Sequence, residues 1–251
     1  MPVERLEVVT LGVSKKATAA FVAFEFRLRT VSAVSAIPAG QRLVWSCIFP
    51  LKPGTDISAE GFLHLPQKQQ FTANLFLEGN GVVIQNAAVA LDEQGGRISL
   101  TDHSKVTAGA AFTDWDQFQE WNAAAALERI HSHWPTPLDL EVELQEEVVL
   151  QEWQVGASTE REEGQVVYPI TSGPMAFDAV VSRGAEGKAL RLALESFRKK
   201  QTRPPLFGLL HYEKCRLVLQ PLAVFGADGP EQLMLSSEKV DRAALLKALK
   251  F

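Results

Sequence analysis

Apolar residues fall at every second position in Val22, Phe24, Phe26 and Leu28, with Ala23, Glu25, Arg27 and Arg29 between them. Successive side chains leave a strand on opposite faces, so this period of two predicts a half-buried strand. Similar stretches predict strands over residues 6–13, 42–51, 61–65, 71–78, 82–91 and 97–100. Gly79-Asn80-Gly81 is expected to turn 71–78 back onto 82–91 as a hairpin, and Asp92 to Gly96 forms the next turn. Short strands separated by turn residues predict an antiparallel sandwich or barrel.

Beyond residue 112 the period changes. Thr113 is placed to cap a helix, Asp114 and Asp116 suit its positive start, and Trp115, Phe118 and Trp121 are spaced by three. One amphipathic helix is expected over 114–133, stopped by Pro135 and Pro137, either capping the first sheet or joining two halves. A strand with an acidic outer face follows over 138–144, then a polar loop over 156–164 and strands over 165–170 and 175–182. Residues 188–200 read as a second helix ended by Pro204 and Pro205. A hairpin of 206–211 with 216–225, a strand over 232–235 and a terminal helix from Asp241 complete the chain. The expected class is α+β and β-rich: an N-terminal antiparallel sandwich or barrel, then a mixed antiparallel sheet with helices. The expected division is a β-rich domain over 1–112, a connecting or capping helix over 113–135 and an α+β domain over 136–251.

Composition adds little to this picture. With 46% hydrophobic and 22% charged residues among 251, the chain has the make-up of a folded globular protein. A formal charge of −5 disfavours a protein that coats nucleic acid over its whole surface, while leaving room for a local basic patch. The N-terminus carries Glu4 and Glu7 before any apolar stretch, and no apolar run approaches the ~20 residues of a membrane span. A cytoplasmic location and no membrane partner are therefore expected.

Few chemistries find their residues here. There is no Gly-x-Ser-x-Gly elbow; Thr171-Ser172-Gly173-Pro174 reads as a turn. A phosphate loop and a dinucleotide fingerprint are missing, and Gly79-Asn80-Gly81 is too short for either. His131 and His133 stand two apart, about 200° around a helix, so they would share a metal only if the helix had unwound. Helix-end stabilisation is the expected role for that pair, and His211 reads as a hydrogen-bonded strand residue. No metal site, disulfide or cofactor is expected. Cys47 lies in an apolar strand and reads as inert, whereas Cys215 sits between Lys214 and Arg216, where its thiol pKa would fall modestly. Glu141, Glu143 and Glu147 read as a solvated strand face. Trp115, Trp121 and Trp134 read as core residues in preference to a carbohydrate platform.

The strongest local signal is charge. Residues 136–170 hold nine acidic side chains against Arg161, whereas 188–203 hold Lys188, Arg191, Arg198, Lys199, Lys200 and Arg203 against Glu195. Leu190, Ala193, Leu194 and Phe197 form the apolar stripe of that second helix, leaving its cations outward as a candidate interaction surface. The sequence therefore favours a non-enzymatic protein-interaction or assembly factor. A nucleic-acid-associated accessory protein using the basic helix comes next, and an enzyme whose site assembles only in three dimensions comes third.

Overall fold

The structure, a computed structural model, describes residues 1–51, 57–92, 95–132, 146–161, 164–213 and 216–236. The chain forms two compact units, one comprising Met1–Thr113 with the chain from Leu235, the other Asp114–Met234. The class is α+β and β-rich, as expected. Among the described residues no helix is long and apolar enough to cross a membrane.

The first unit is a closed barrel of β1 (Pro2–Ala17), β2 (Phe21–Thr30), β3 (Arg42–Pro50), β4 (Asn80–Asp92) and β5 (Gly95–Ala111), in the order β1-β2-β3-β5-β4. Neighbours are antiparallel except β3 and β5, which run parallel, and β4 returns to pair with β1. The even positions of β2 and the odd positions of β3 fill the interior: Val22, Phe24, Phe26 and Leu28 meet Leu43, Trp45 and Cys47. Thr18 makes the turn from β1 to β2 tight, its hydroxyl accepting from the amides of Ala20 and Phe21 at 3.2 and 3.1 Å.

Two expected strands are 3-10 turns instead. Ala59–His64 begins at Ser58, whose hydroxyl accepts from the Gly61 amide, and Ala73–Leu77 follows Thr72. Short apolar runs do not distinguish strand from buried turn by periodicity alone. Ala73 and Phe76, three apart, eclipse on one side of a 3-10 turn and are both buried. Phe76 stacks on Trp45 with centroids 4.6 Å apart and meets Phe26 at 5.4 Å, so this segment plugs the barrel core. Gly79 leaves the turn at φ +74°, and the chain passes directly into β4, which replaces the expected hairpin at Gly79-Asn80-Gly81. The hairpin that does form joins β4 to β5 at Asp92 and Gly95. Gly95 there has φ +154°, and a Cβ on it would stand 2.8 Å from the Arg42 carbonyl, so β5 enters beside β3 only because this residue is glycine.

The second unit repeats the strand order. It contains α1 (Ala123–Ser132), β6 (Glu146–Leu150), β7 (Gln154–Val155), β8 (Thr159–Arg161), β9 (Gln165–Ser172), β10 (Met175–Ser182), α2 (Lys188–Arg198), β11 (Leu206–Glu213), β12 (Arg216–Gly226) and β13 (Gly229–Gln232). The sheet order is β6-β11-β12-β10-β9-β7, with β8 on β9 and β13 on β12, and β10 is parallel to β12. β6 pairs with β11 and β7 with β9, so the two short strands act as halves of one first strand, interrupted at Gln151–Trp153. Read that way, each unit has the topology of a five-stranded OB barrel. In the second, α2 sits between the third and fourth barrel strands and buries Leu190, Leu194 and Phe197, the stripe expected from the sequence.

The expected single helix over 114–133 is divided. Trp115–Phe118 is a 3-10 turn that buries Trp115 and Phe118, and α1 starts afresh where the Asn122 carboxamide oxygen accepts from the Ala125 amide at 3.0 Å. Of the glutamates expected on a solvated face, Glu141 and Glu143 lie outside the described residues. Glu147 is only 5% exposed, and Glu146 beside it is 6% exposed and takes a two-pronged contact from Arg129 at 2.6 and 3.1 Å. Strand alternation did not predict that burial, because it carries no information about what packs on the outer face. The expected strand over 138–144 and terminal helix from Asp241 also fall outside the described residues.

Two predictions follow from the first barrel. Phe76→Ala should cost about 3–5 kcal/mol in chemical denaturation, the usual cost of emptying a buried phenylalanine site; a loss under about 1 kcal/mol would contradict the plug. The second concerns Glu60, whose carboxylate accepts from Lys15 Nζ at 2.7 Å and from the Ser236 amide at 3.1 Å. Burial raises the Glu60 pKa, but the Lys15 and Ser236 hydrogen bonds with the Lys15 charge outweigh it and hold the group below its ordinary 4.5. Its stabilisation is therefore complete above that value and is lost as pH falls through the lower folded value. The stability gap between wild type and Glu60→Gln should narrow as pH drops below about 4.5; a gap that stays constant would refute the charge contribution.

Candidate functional site

Because Phe24, Phe26 and Leu28 point inward, period two sends Glu25, Arg27 and Arg29 to the outer face of β2. The register then sets Arg29 directly opposite Arg42 and Arg27 opposite Val44. On the far side of β3, Val44 pairs with Arg97 of β5. Neighbouring strands lie about 4.8 Å apart and alternate residues about 7 Å apart along a strand, so the four arginine Cα atoms fall within roughly 12 Å of one another. Arg97 is exposed and Arg42 half-buried, while Arg27 and Arg29 are 5% and 7% exposed. Arg27 contacts the Glu25 carboxylate, and Arg29 Nη1 donates to the Leu28 carbonyl at 3.1 Å. The remaining outward positions of β2 and β3 include Ala23, Val44, Ser46 and Ile48, and the one outward aromatic, the half-buried Phe21, stands at the start of β2 opposite Pro50, away from the arginines.

In the basic helix and its exit, Lys188, Arg198, Lys199 and Lys200 are exposed, while Arg191 and Arg203 are half-buried. Arg191 Nη1 donates to the Ser182 carbonyl at 3.2 Å, and Arg198 pairs with Glu195 at 3.0 Å. Glu195 is also hydrogen-bonded by the buried Tyr168, whose phenol is pushed above its ordinary range by burial and by the Glu195 charge. Lys200 lies 4.9 Å from the Phe197 ring centroid. Arg203 donates to the carbonyls of Phe197 at 2.8 Å and Trp153 at 3.3 Å, and its guanidinium stands over the Trp153 indole. The six cations thus share one helix and its exit loop: Arg191 and Arg203 bond backbone carbonyls, Arg198 pairs within the helix, and Lys188, Arg198, Lys199 and Lys200 are exposed.

The other residues singled out from the sequence separate in the same way. Cys47 faces the first barrel's interior, and burial pushes its thiol up to about 12, so it stays protonated and unreactive. Thr171-Ser172-Gly173-Pro174 is the β9–β10 hairpin turn, with Gly173 at φ +55° and the Ser172 hydroxyl donating to the Glu152 carbonyl at 2.6 Å. His211 lies on β11. His131 lies in the last turn of α1, and His133, Trp134 and Cys215 lie outside the described residues. Among the described residues no three His, Cys, Asp or Glu side chains cluster as metal ligands. Trp115 is buried, whereas Trp121 is half-buried.

Sequence reasoning missed the four-arginine face. Arg27 and Arg29 were visible as outward strand positions, but Arg42 and Arg97 join them only through the β2–β3 register and the parallel approach of β5.

No family model matches the chain, and no curated protein does. Among solved structures, the Ifi202 HINa domain in complex with 20bp dsDNA is similar at 11% identity and a TM-score of 0.40, over 88% of this chain and 93% of that one. The p204 HINb domain gives 13% identity and a TM-score of 0.34, over 91% of this chain and 95% of that one. A Replication Protein A heterotrimer bound to ssDNA gives 10% and 0.36, over 88% of this chain and 49% of that one. Similarity this low adds nothing to the strand order described above.

Reversing Arg198, Lys199 and Lys200 together to glutamate should cost about 1–2 kcal/mol, since each favours the negative helix end by ~0.3–1 kcal/mol. Thermal denaturation tests this, and an unchanged midpoint would show that these cations contribute nothing to the helix end.

Proposed function

We propose that this protein binds nucleic acid, through phosphate contacts made by the outer β2–β3–β5 face of its first barrel. The observation that carries the proposal is the register that sets Arg29 beside Arg42 and Arg27 in line with Arg97. The outer face of the second and third strands is where OB barrels take their oligonucleotide or oligosaccharide ligands. Guanidinium groups match phosphate oxygens in planar, two-pronged geometry; the exposed Arg97 and half-buried Arg42 are placed to make such contacts, while the largely buried Arg27 and Arg29 add positive charge beneath them.

The side chains present also define the kind of contact. Single-strand binders stack bases on aromatic rings, a contribution of about 1–3 kcal/mol per base. Beside the arginines the outward positions of β2 and β3 offer no such ring, because Phe24, Phe26 and Trp45 are all spent on the interior and Phe21 stands at the opposite end of β2. Binding through this face is therefore electrostatic, tolerant of sequence and strongly salt-dependent. With a net charge of −5, affinity for bare duplex near physiological salt is low. The protein-interaction reading, placed first from the sequence, has no comparable constellation behind it among the described residues.

The test is fluorescence anisotropy with labelled strands of about 16 nucleotides and the matching duplex, titrated at several salt concentrations. Affinity should fall with salt at about −0.7 in the logarithmic slope per phosphate neutralised on a single strand and −0.9 on duplex. Arg42→Glu with Arg97→Glu should weaken binding at low salt by at least about tenfold and flatten the slope, while the Arg198, Lys199 and Lys200 reversal leaves both unchanged. Binding that is absent at about 50 mM salt, or indifferent to the Arg42 and Arg97 reversals, would sink the proposal.

A further inference from the structure

A hollow of about 730 Å³ opens on the second unit at the junction of Trp115–Phe118, the start of α1 and the interruption of the first strand. It is lined by Asp116, Gln119, Glu120, Trp121, Asn122 and Gln151. Its volume lies within the range of small-ligand sites, and its lining is one indole, three carboxamides and two carboxylates, with no cation. That set repels phosphate, which separates the hollow from the arginine face of the first barrel.

The carboxamides are held in place by their neighbours. Gln119 Nε2 donates to Asp116 Oδ1 at 3.0 Å, Gln151 Nε2 to the Gln119 carbonyl at 2.8 Å, and Asn122 Oδ1 accepts from the Ala125 amide at 3.0 Å. Each bond engages one end of an amide, while its other end has no protein partner among the described residues: the oxygens of Gln119 and Gln151 and the NH₂ of Asn122. The Glu120 carboxylate adds further acceptors. Fixed donors and acceptors side by side are what hydroxyl groups require, since each hydroxyl both donates and accepts.

The tryptophan supplies a second, separate observation. Trp121 Nε1 is shielded from solvent and has no hydrogen-bond partner, an unusual state for a buried donor. The ring itself is half-buried and lines the hollow. The indole thus brings to the hollow an unpartnered donor and an apolar ring face of the kind that covers a sugar ring. A second hollow of about 650 Å³ shares Gln151 and is lined further by Glu152, Gln154, Gln201 and Thr202, with Arg203, whose guanidinium bonds the Phe197 and Trp153 carbonyls, at its edge; it gives an extended ligand a second place to rest.

We propose that this trough binds a neutral oligosaccharide of hexopyranose units, with Trp121 against one ring and Gln119, Asn122 and Gln151 bonding its hydroxyls. The proposal does not rest on the nucleic-acid reading, and the two fail separately. The probes are maltohexaose, cellohexaose and chitohexaose, followed by chemical-shift perturbation and calorimetry on the full chain. At least one should bind with a Kd of about 1 mM or tighter, with shifts centred on residues 116–122 and 151–154. Trp121→Ala should weaken binding by about tenfold or more, and so should Gln151→Ala and Glu120→Ala, whose exposed side chains keep the test valid if the tryptophan variant fails to fold. Arg42→Glu with Arg97→Glu should leave it unchanged. The proposal is overturned if none of the three sugars binds at about 10 mM, or if binding survives both Gln151→Ala and Glu120→Ala.

Discussion

Closure of a small barrel around large side chains is the constraint from which the first unit follows. A five-stranded barrel has no free sheet edge, but its interior must be filled to near crystal density. Phe24, Phe26 and Trp45 supply wall-side volume, and the open end is filled by chain that is not strand at all, namely the 3-10 segments bearing Phe62, Leu63, Ala73 and Phe76. Because every aromatic on β2 and β3 except the half-buried Phe21 has the inward parity, the outer face around the arginines keeps charged, small and aliphatic residues. The arginine face is thus the complement of the core: the alternation that packs one surface leaves the other cationic.

The second barrel meets the same constraint with different parts. Its end is plugged by α2, whose Leu190, Leu194 and Phe197 enter the core, and Trp153 packs edge-on against Phe197 at 5.4 Å. Arg191, Arg198 and Arg203 tie the helix and its exit to backbone carbonyls and to Glu195. Within that basic run, Arg191 and Arg203 are engaged with the fold's own backbone, whereas Lys188, Arg198, Lys199 and Lys200 are exposed. The interrupted first strand has a different consequence. Where Gln151–Trp153 leaves the ladder, the wall opens between the strand halves, and polar side chains line the gap.

The sequence by itself determined what depends on local periodicity. Alternation in β2 marked both the strand and its inward side, apolar runs placed β3, β4, β9 and β10, and the stripe of α2 named its buried residues. Cys47 was inert on sequence grounds, since an apolar strand with no basic neighbour gives a thiolate nothing to stabilise it. Residues 61–65 and 71–78 went the other way, because short apolar runs serve a strand and a buried 3-10 turn equally well. Only the tertiary structure decided which strands are neighbours and in what register. That choice is made by barrel closure, including the glycine-dependent approach of Gly95 to Arg42, and it alone assembles Arg27, Arg29, Arg42 and Arg97, which lie up to 70 positions apart in the chain. It also decided the fate of Glu146 and Glu147. Alternation assigns a residue to a face, but burial depends on what the rest of the fold lays across that face.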